Sequence, residues 1–377
     1  MKKSLLSVFL VLAFCQTAFS WEYVGDLSIA ISEEYNDNIF LEGSDPEDDF
    51  ITYIAPGIGA SLRSPSSQIK LNYRPTFSFY RSNSDLNETA HEFAAIGIFA
   101  LSSKAVANIG HTFIKSSERD ALRDVTDIGP ITRRLERTYQ TFNTNLTYRL
   151  TPHVNSTLGI SYTDLDYAEP DLSEVKTLGG NIRVEYQLAD NVSLSANGNI
   201  IKYDYRPDSD ALVQEYIAGL TYRYNPRYSI TLTGGPTITK IEDTGETDTG
   251  YGGGIVLTRT DERGTATLSV TQSVITGVES GEPLTSRGAA VSITRDLTAR
   301  WNISFSASYN EYETVDTDTT DSNMINVGGG ITYRISSLAN LNLDYRYSDY
   351  EDNIDSSGTY QNHMVVLRFN LAYSQRL

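Results

Sequence analysis

Residues Leu146 to Tyr162 read Leu-Thr-Tyr-Arg-Leu-Thr-Pro-His-Val-Asn-Ser-Thr-Leu-Gly-Ile-Ser-Tyr, and they contain the pattern from which the whole chain is built. Apolar side chains occupy every second position on both sides of Thr151-Pro152-His153, and polar residues alternate with them. Strict alternation is typical of a β-strand with one apolar and one polar face. The interruption has the composition of a turn, so this stretch predicts two long strands joined as a hairpin.

The hairpin recurs along the chain at a nearly constant spacing. Its strand end, Leu146-Thr-Tyr-Arg149, returns in related form at intervals of 36 to 38 residues, starting at Val184, Leu220, Leu257, Ile293 and Ile331. Each interval holds two strands of ten or more residues, close to the ~9–11 residues that cross a bilayer as a tilted strand. A propeller would need four short strands in that interval, and a soluble barrel of this size would leave its interior unfilled. A membrane barrel is therefore favoured.

The connections between the expected strands alternate in length. Short connections lie at 63–67, 102–103, 151–152, 189–190, 225–226, 261–263, 297–298 and 336–339. Long connections lie at 35–49, 82–88, 116–136, 166–173, 205–211, 241–249, 276–285, 313–322 and 351–360, and acidic residues are concentrated in them. We predict an all-β fold: a transmembrane antiparallel up-and-down β-barrel of about 18 strands (16–18), with short periplasmic turns and long extracellular loops.

The first twenty residues have the features of a secretory signal peptide. Lys2 and Lys3 precede an apolar run, and Ala18-Phe19-Ser20 forms a small-x-small cleavage site. A lipoprotein signal at Cys15, the only cysteine, is disfavoured by the bulky Phe14 before it. We therefore expect a signal peptide at 1–20 and an integral barrel of the bacterial outer membrane at 21–377.

Composition argues against several classes of function. The formal net charge of −18 disfavours nucleic acid as a partner, because phosphate binding requires basic patches. The four histidines fall in no hydrolase or zinc-protease motif, so we predict no catalytic residues, no cofactor and no metal ligands. The acidic loops could bind Ca²⁺ or Mg²⁺ but lack EF-hand spacing, which favours a solvated face or ions bridging to lipopolysaccharide.

The segment Ser32-Glu-Glu-Tyr-Asn-Asp-Asn-Ile-Phe-Leu41, an acidic loop, and Ile51-Thr-Tyr-Ile-Ala-Pro-Gly-Ile58 resemble the opening of the beta-barrel porin 2 family of bacterial outer-membrane proteins. The motif covers the first two strands, and the remainder matches only as generic barrel repeats. The resemblance implies an outer-membrane barrel associated with exopolysaccharide or exosortase loci, and it brings no catalytic residues. The last strand departs from the usual terminal aromatic, since Tyr373 is followed by Ser-Gln-Arg-Leu377.

Loop 116–136 is the most informative connection. In general porins the third loop folds into the pore, and by analogy the apolar residues of this third long loop would pack inside the barrel. Its arginines would then line a pore constriction for acidic sugars or other anions: Arg119, Arg123, Arg133, Arg134 and Arg137. Alternatively, the loop is solvated and its arginines pair with neighbouring acids.

Placing the apolar face toward lipid assigns the other face to the lumen. The predicted lumen-facing residues are Lys70, Arg74, Arg149, Arg183, Glu185, Arg223, Arg334, Asp344, Arg346 and Arg368. Two lipid-facing aromatic belts are expected. The belt near the long loops would comprise Tyr139, Tyr162, Tyr216, Tyr251, Tyr309 and Tyr347. Pro56, Pro75 and Pro236 interrupt strand patterns, and we predict β-bulges there because a closed barrel has no edge strand to hold a proline.

These features lead to two functional hypotheses. The first is a porin-like channel for export or passage of exopolysaccharide or other anionic solutes. The second is a non-conducting structural or surface-interaction barrel that binds cations, lipopolysaccharide or a partner. The expected partners are outer-membrane lipid and lipopolysaccharide, the barrel-assembly machinery and, for the channel, a polysaccharide export apparatus.

Overall fold

The structure is a computed structural model. It describes residues 21–117, 136–168, 174–206, 210–277, 281–314, 322–353 and 358–376. The predicted signal peptide lies outside these residues. Within them, no helix has both the length and the apolar character needed to span a bilayer.

Eighteen long strands account for most of the described chain, as the alternation predicts. They are β1 Glu22–Asn36, β2 Asp49–Arg63, β3 Ser67–Tyr80, β4 Glu88–Ala100, β5 Ala105–Ser116, β6 Arg137–Thr151, β7 Val154–Tyr167, β8 Glu174–Ala189, β9 Val192–Arg206, β10 Ala211–Asn225, β11 Tyr228–Ile241, β12 Thr247–Asp261, β13 Gly264–Thr276, β14 Pro283–Asp296, β15 Trp301–Thr314, β16 Ser322–Arg334, β17 Ala339–Asp352 and β18 Tyr360–Arg376. A short 3₁₀ helix, Ser84–Leu86, lies between β3 and β4.

Each strand pairs with the next in antiparallel fashion, and the sheet closes on itself. The closing ladder joins β1 to β18, from Val24 opposite Arg376 to Asn36 opposite Met364. Closure pairs every strand with a neighbour on both sides over most of its length, which is the condition for a sheet to lie in hydrocarbon. The predicted all-β, antiparallel, up-and-down barrel of eighteen strands is therefore confirmed. The two ends are called the short-turn rim and the long-loop rim.

Ladder register divides the side chains of every strand between two faces. On the outer face Leu27, Ile29 and Ile31 lie opposite Tyr373, Leu371 and Phe369, and all of these apolar side chains except the half-buried Ile29 are exposed. On the inner face Ser32 lies opposite Arg368. Toward the long-loop rim the inner face becomes buried, because the first long loop packs Ile39 and Leu41 against inward-facing side chains. An apolar exterior and a polar interior are what a membrane barrel requires.

The outer belt near the long-loop rim contains all of the tyrosines predicted there except one. Tyr162, Tyr216, Tyr251 and Tyr309 lie on the outer face, and Tyr251 is 75% exposed. Tyr139, in contrast, is only 6% exposed, because it lies opposite the buried Leu165 on the inner face. The assignment of Tyr139 to the lipid-facing belt was therefore wrong.

The predicted bulges at prolines are also wrong. Register is unchanged across Pro56 and Pro75, because Ile54 lies opposite Phe77 and Ile58 opposite Tyr73. The same register places the two prolines opposite each other, where ladder pairs are missing. Neither proline has a backbone N–H group to donate, so the two missing ladder hydrogen bonds fall at the same position. At Pro236 the β10–β11 ladder is likewise interrupted without a shift.

Register shifts occur instead next to three short turns. They lie at Arg149/Thr151, Gln187/Ala189 and Arg223/Asn225, each at the end of a strand that enters a two-residue turn. A bulge at these positions adds the local twist that a tight hairpin needs.

At the seam between β12 and β13 the pairing stops well short of the long-loop rim. The β12–β13 ladder ends at Gly253 opposite Gln272. Above this pair, residues 247–252 of β12 pair only with β11, and residues 273–276 of β13 pair only with β14. Gly253 has φ +140°, a backbone conformation that favours glycine, so β12 changes course at this point. This feature is called the β12–β13 break.

Candidate functional site: the barrel lumen

Two sectors of the inner face differ in charge. The first, called the charged wall, is the inner face of β17, β18 and β1 to β4 below the long-loop rim. Register places on it Asp26, Lys70, Arg74, Glu92, Asp344, Arg346 and Arg368. Cations and carboxylates thus alternate around one sector of the lumen.

The second sector, called the hydroxyl wall, is the inner face of β11 to β15. Between its two ends, at Asp248 and Asp296, it consists mainly of Ser, Thr, Asn and Gly. Its hydroxyl side chains include Thr231, Thr233, Thr258, Thr267, Ser269, Thr271, Ser273, Ser286, Ser292, Ser304, Ser306 and Ser308. All five strands are described along their whole length, and no charged side chain points inward between those two acids.

Register places all ten predicted lumen-facing residues on the inner face. Three of the arginines among them form ion pairs. Arg74 contacts Glu92 at 2.5 Å, Arg183 contacts Glu185 at 3.8 Å, and Arg334 contacts Asp296 at 3.3 Å. These side chains are about half exposed, so the pairs are screened by water and contribute little to stability. Their effect is to neutralise charge locally.

Four other predicted lumen cations are not neutralised in this way. Within the described part of the chain, no carboxylate oxygen lies within 4.0 Å of the basic groups of Lys70, Arg149, Arg223 or Arg368. Arg149 and Arg223 lie two residues from the short-turn ends of β6 and β10. These four cations are therefore available to a solute in the lumen: Lys70, Arg149 and Arg223 are exposed near the short-turn rim, and Arg368 is half-buried midway along β18.

The long-loop rim is lined by buried aromatic side chains that the sequence argument did not identify. Eight tyrosines from seven strands of the described chain are at most 9% exposed and lie on the inner face: Tyr80, Tyr139, Tyr167, Tyr203, Tyr205, Tyr312, Tyr350 and Tyr360. They belong to four apolar clusters distributed around the rim. The signal was present in the sequence, because Tyr203 shares its alternation with the inward-facing Asn197 and Asn199. We call these eight tyrosines the rim ring; they lie on the lumen side of the wall at the long-loop rim.

The first long loop is fastened to the rim ring by buried amides. Asn38 is 1% exposed, and its Nδ2 donates to the carbonyl oxygens of Glu42 at 2.8 Å and Gln361 at 2.9 Å. Its Oδ1 accepts from the Glu42 N–H at 2.9 Å, and Asn362 Nδ2 donates to the Asn38 carbonyl at 3.1 Å. The Asn36-to-Leu41 segment of the family-like motif is thus a loop anchor.

The second long loop is fastened by a carboxylate. Asp49 is 2% exposed and accepts hydrogen bonds from the backbone N–H groups of Ser82 and Asn83 at 2.9 to 3.1 Å, and from the Asn83 side chain at 3.2 Å. A buried carboxylate satisfied by several N–H donors is a strong local constraint. Loops one and two are therefore held against the rim, which limits their freedom to open and close.

The predicted constriction is only partly visible. Arg119, Arg123, Arg133 and Arg134 lie outside the described residues. Arg137 lies on the inner face of β6, opposite Ser116 and Tyr167, and is 1% exposed. At that exposure its guanidinium is enclosed by protein, so it contributes to the rim rather than to an open passage.

No metal-ligand cluster was found among the described residues: nowhere do three or more His, Cys, Asp or Glu side chains converge as a metal site would require. His91 and His363 instead face outward and contact the Tyr73 and Tyr345 hydroxyls at 2.9 and 2.8 Å.

Comparison with known proteins supports the architecture. No family model and no curated protein sequence matches this chain, so the resemblance to the beta-barrel porin 2 family stays a prediction. Solved structures do match. The outer membrane protein OpdK from Pseudomonas aeruginosa superposes with a TM-score of 0.53 at 12% identity, covering 94% of this chain and 99% of OpdK.

Two further solved structures also superpose over most of this chain. OccAB4 of Acinetobacter baumannii superposes with a TM-score of 0.55 at 10% identity, covering 94% of this chain and 98% of OccAB4. OpdO of Pseudomonas aeruginosa gives 0.51 at 11% identity, with the same coverage. The chain shares the fold of these barrels over nearly its whole length.

Proposed function

We propose that this protein is a porin-like channel of the outer membrane that passes anionic solutes through its lumen. The observation that carries the proposal is the set of lumen cations without a neighbouring carboxylate, Lys70, Arg149, Arg223 and Arg368. Basic side chains exposed to water on an inner face attract anions and raise their local concentration. The fold shared with OpdK and OccAB4 supports the same conclusion.

The solute class follows from the geometry of the cations. Guanidinium groups bind carboxylates with two parallel hydrogen bonds, so arginines that line a passage favour carboxylates, including acidic sugars. One matching structure is of OpdK with vanillate, a carboxylate, at a TM-score of 0.52 and 12% identity. The family resemblance implies export of an exopolysaccharide, and a polymer that carries acidic sugars belongs to the same solute class.

Planar-bilayer recording on the refolded mature protein tests the channel. We expect stable open steps and, under a salt gradient, a reversal potential of the sign that marks anion preference. A correctly folded barrel that never conducts would contradict the proposal. Open steps with cation preference would contradict the role of the lumen cations and leave a channel of different selectivity.

A second candidate is a non-conducting barrel that binds lipopolysaccharide, cations or a partner through its loops. The observation in its favour is the buried rim ring, with the first two long loops fastened against it. This candidate predicts no ion conduction in planar bilayers, together with binding of lipopolysaccharide to the intact barrel in detergent. Channel activity combined with no such binding would eliminate it.

A further inference from the structure

The β12–β13 break coincides with a cavity on the lumen side of the wall. The cavity measures about 670 Å³. It is bordered by Gly252 and Gly253 on β12 and by residues 271–273 on β13. Gln272 belongs to the outer face, whereas Thr271 and Ser273 belong to the inner face. Because residues of both faces border it, the cavity extends into the seam where the ladder stops.

The remaining lining is neutral and rich in hydroxyl groups. Ser286, Ser308 and Asn310 contribute polar side chains, and Tyr312 and Ile217 contribute apolar surface. Among the described residues, the hydroxyls of Thr271, Ser273, Ser286 and Ser308 have no protein hydrogen-bond partner, so they are available to a ligand. A ligand with its own hydroxyl groups could both donate hydrogen bonds to these side chains and accept hydrogen bonds from them, since each hydroxyl is a donor and an acceptor.

Charge disfavours an anion in this cavity. The single charged side chain that lines it is Glu215, whose Oε2 accepts from Asn199 Nδ2 at 2.9 Å, and no lysine or arginine is present among the described lining residues. An anion would face a carboxylate with no compensating cation. The cavity therefore suits an uncharged, polyhydroxylated group, which is a different solute from the one that suits the charged wall.

The position of the break indicates a sideways path. At the long-loop rim most of the described inner-face side chains are buried by protein rather than surrounded by open lumen. The break begins at the height of Tyr251, next to an outer-face row that also contains Tyr216, and these rings are 75% and 53% exposed. Exposed outer-face tyrosines mark the headgroup level of a membrane. The unpaired stretch thus lies at the level where the polar part of an amphiphile would lie.

We propose that the cavity at the β12–β13 break binds the uncharged sugar headgroup of an amphiphile, which passes between lumen and outer leaflet through the break. The alkyl chain stays in the membrane beside the outer faces of β12 and β13. The site uses the lumen of the proposed channel but does not depend on conduction along the axis.

A pair of engineered cysteines tests the break itself. Continuing the β12–β13 register upward would place Tyr251 opposite Val274, and four residues lower Ile255 lies opposite Val270 on the same outer face. The sequence contains a single cysteine, Cys15, in the predicted signal peptide, so the mature chain offers a clean background. We expect I255C/V270C to oxidise readily in proteoliposomes and Y251C/V274C to remain reduced, because strands that are not paired hold cysteines too far apart. Equal oxidation of both pairs would overturn the proposal.

A photoreactive alkyl glucoside with a diazirine in its alkyl chain tests the site. In proteoliposomes we expect labelling at the β12–β13 seam that is competed by unlabelled alkyl glucoside but not by an alkyl sulfate of equal chain length. The variant S273A/S308A should lower this labelling severalfold. The control S269A/S292A removes hydroxyls from the same wall, nearer the short-turn rim and outside the cavity, and should leave labelling unchanged. If neither the unlabelled alkyl glucoside nor the S273A/S308A change lowers the labelling, the probe has only partitioned into lipid. That result would overturn the proposed site.

Conductance of the same preparations separates this inference from the channel proposal. Specific seam labelling in an electrically silent barrel would support the site and contradict the channel. Normal anion conductance without specific labelling would contradict the site and leave the channel intact.

Discussion

The charged wall and the hydroxyl wall are built in the same way and differ in what they offer a solute. Both are runs of antiparallel strands with an apolar outer face, and both turn polar side chains inward. On the charged wall Arg74 pairs with Glu92 while Lys70 stays without a carboxylate neighbour. On the hydroxyl wall the inward side chains between the rims are neutral, and a cavity lies among them. One barrel can therefore present two kinds of surface without any change of backbone.

The largest effect should come from removing the free charge of the lumen. Replacing Lys70, Arg149, Arg223 and Arg368 together by Gln removes cations whose attraction for an anion is on the order of 1 kcal/mol each in water at contact distance. We expect anion preference to fall by about fivefold or more, measured as reversal potential under a salt gradient, since about 1 kcal/mol corresponds to about fivefold.

The matched control for this prediction lies on the other wall. Replacing Thr267, Ser292, Ser304 and Ser306 by Val or Ala changes the same number of inward side chains without changing charge. Selectivity should stay at the wild-type value. An equal loss of anion preference in both variants would show that the two walls do not differ electrostatically.

An intermediate effect is expected at the Arg74–Glu92 pair. E92Q leaves Arg74 uncompensated and should increase anion preference, whereas R74Q leaves Glu92 uncompensated and should decrease it. Each shift should be about twofold, because both groups are roughly half exposed and screened. The temperature at which the barrel loses its compact mobility on SDS gels should hardly change, since exposed pairs contribute ~1 kcal/mol or less. Shifts in the same direction would contradict the assignment of both side chains to the lumen.

A smaller effect on conduction, but a clear one on the loop, is expected from N38A. The substitution removes two donated and one accepted hydrogen bond inside the rim, at a cost of about 1–3 kcal/mol for each buried group left unpaired. Limited proteolysis should cut within residues 37–48 faster, and single-channel recordings should become noisier. The control N340A loses the Asn370–Asn340 contact of 2.9 Å near the opposite rim and should leave the cutting rate unchanged. A wild-type cutting rate for N38A would show that the loop is held by other contacts.

The smallest effect is expected at the paired prolines. P75T restores a backbone N–H where β2 and β3 face each other, which adds at most about 1 kcal/mol. The gain is partly offset because the unfolded chain becomes freer when proline is removed. We expect a small rise in the denaturant midpoint of unfolding, as measured by tryptophan fluorescence. The control P226A lies within a two-residue turn and restores no ladder hydrogen bond. A larger rise in the denaturant midpoint for P226A than for P75T would contradict the explanation.

The sequence predicted the barrel well because its main constraint is local. A strand that faces lipid outside and water inside must alternate at period two, and this pattern appears in most of the eighteen strands; β4, with Ile96 and Ile98 facing inward, departs from it. The same pattern assigned Lys70, Arg74 and the other lumen residues to one face. Alternation cannot report what packs against a face, so it could not show that Tyr139 and Tyr203 are covered at the rim.

Two other features depended on neighbours that are distant in sequence. Pro56 and Pro75 were each predicted to cause a bulge, but the register places them opposite each other and no residue is inserted. The run Gly252-Gly253-Gly254 by itself shows only that the backbone of β12 is free to bend there. Its actual consequence, the end of the β12–β13 ladder, depends on how β13 and β14 continue, which a single strand does not encode.

The ladder between β1 and β18 has a consequence for how the protein is made. β1 is the first strand to be synthesised, and its partner on one side ends at Arg376, at the very end of the described chain. Until β18 exists, the backbone amides of β1 on that side have no permanent acceptor, and such groups are costly in hydrocarbon. Insertion of β1 can therefore be completed only after β18 has been synthesised. We expect a chain truncated before Tyr360 to accumulate as an unfolded precursor rather than as a smaller barrel.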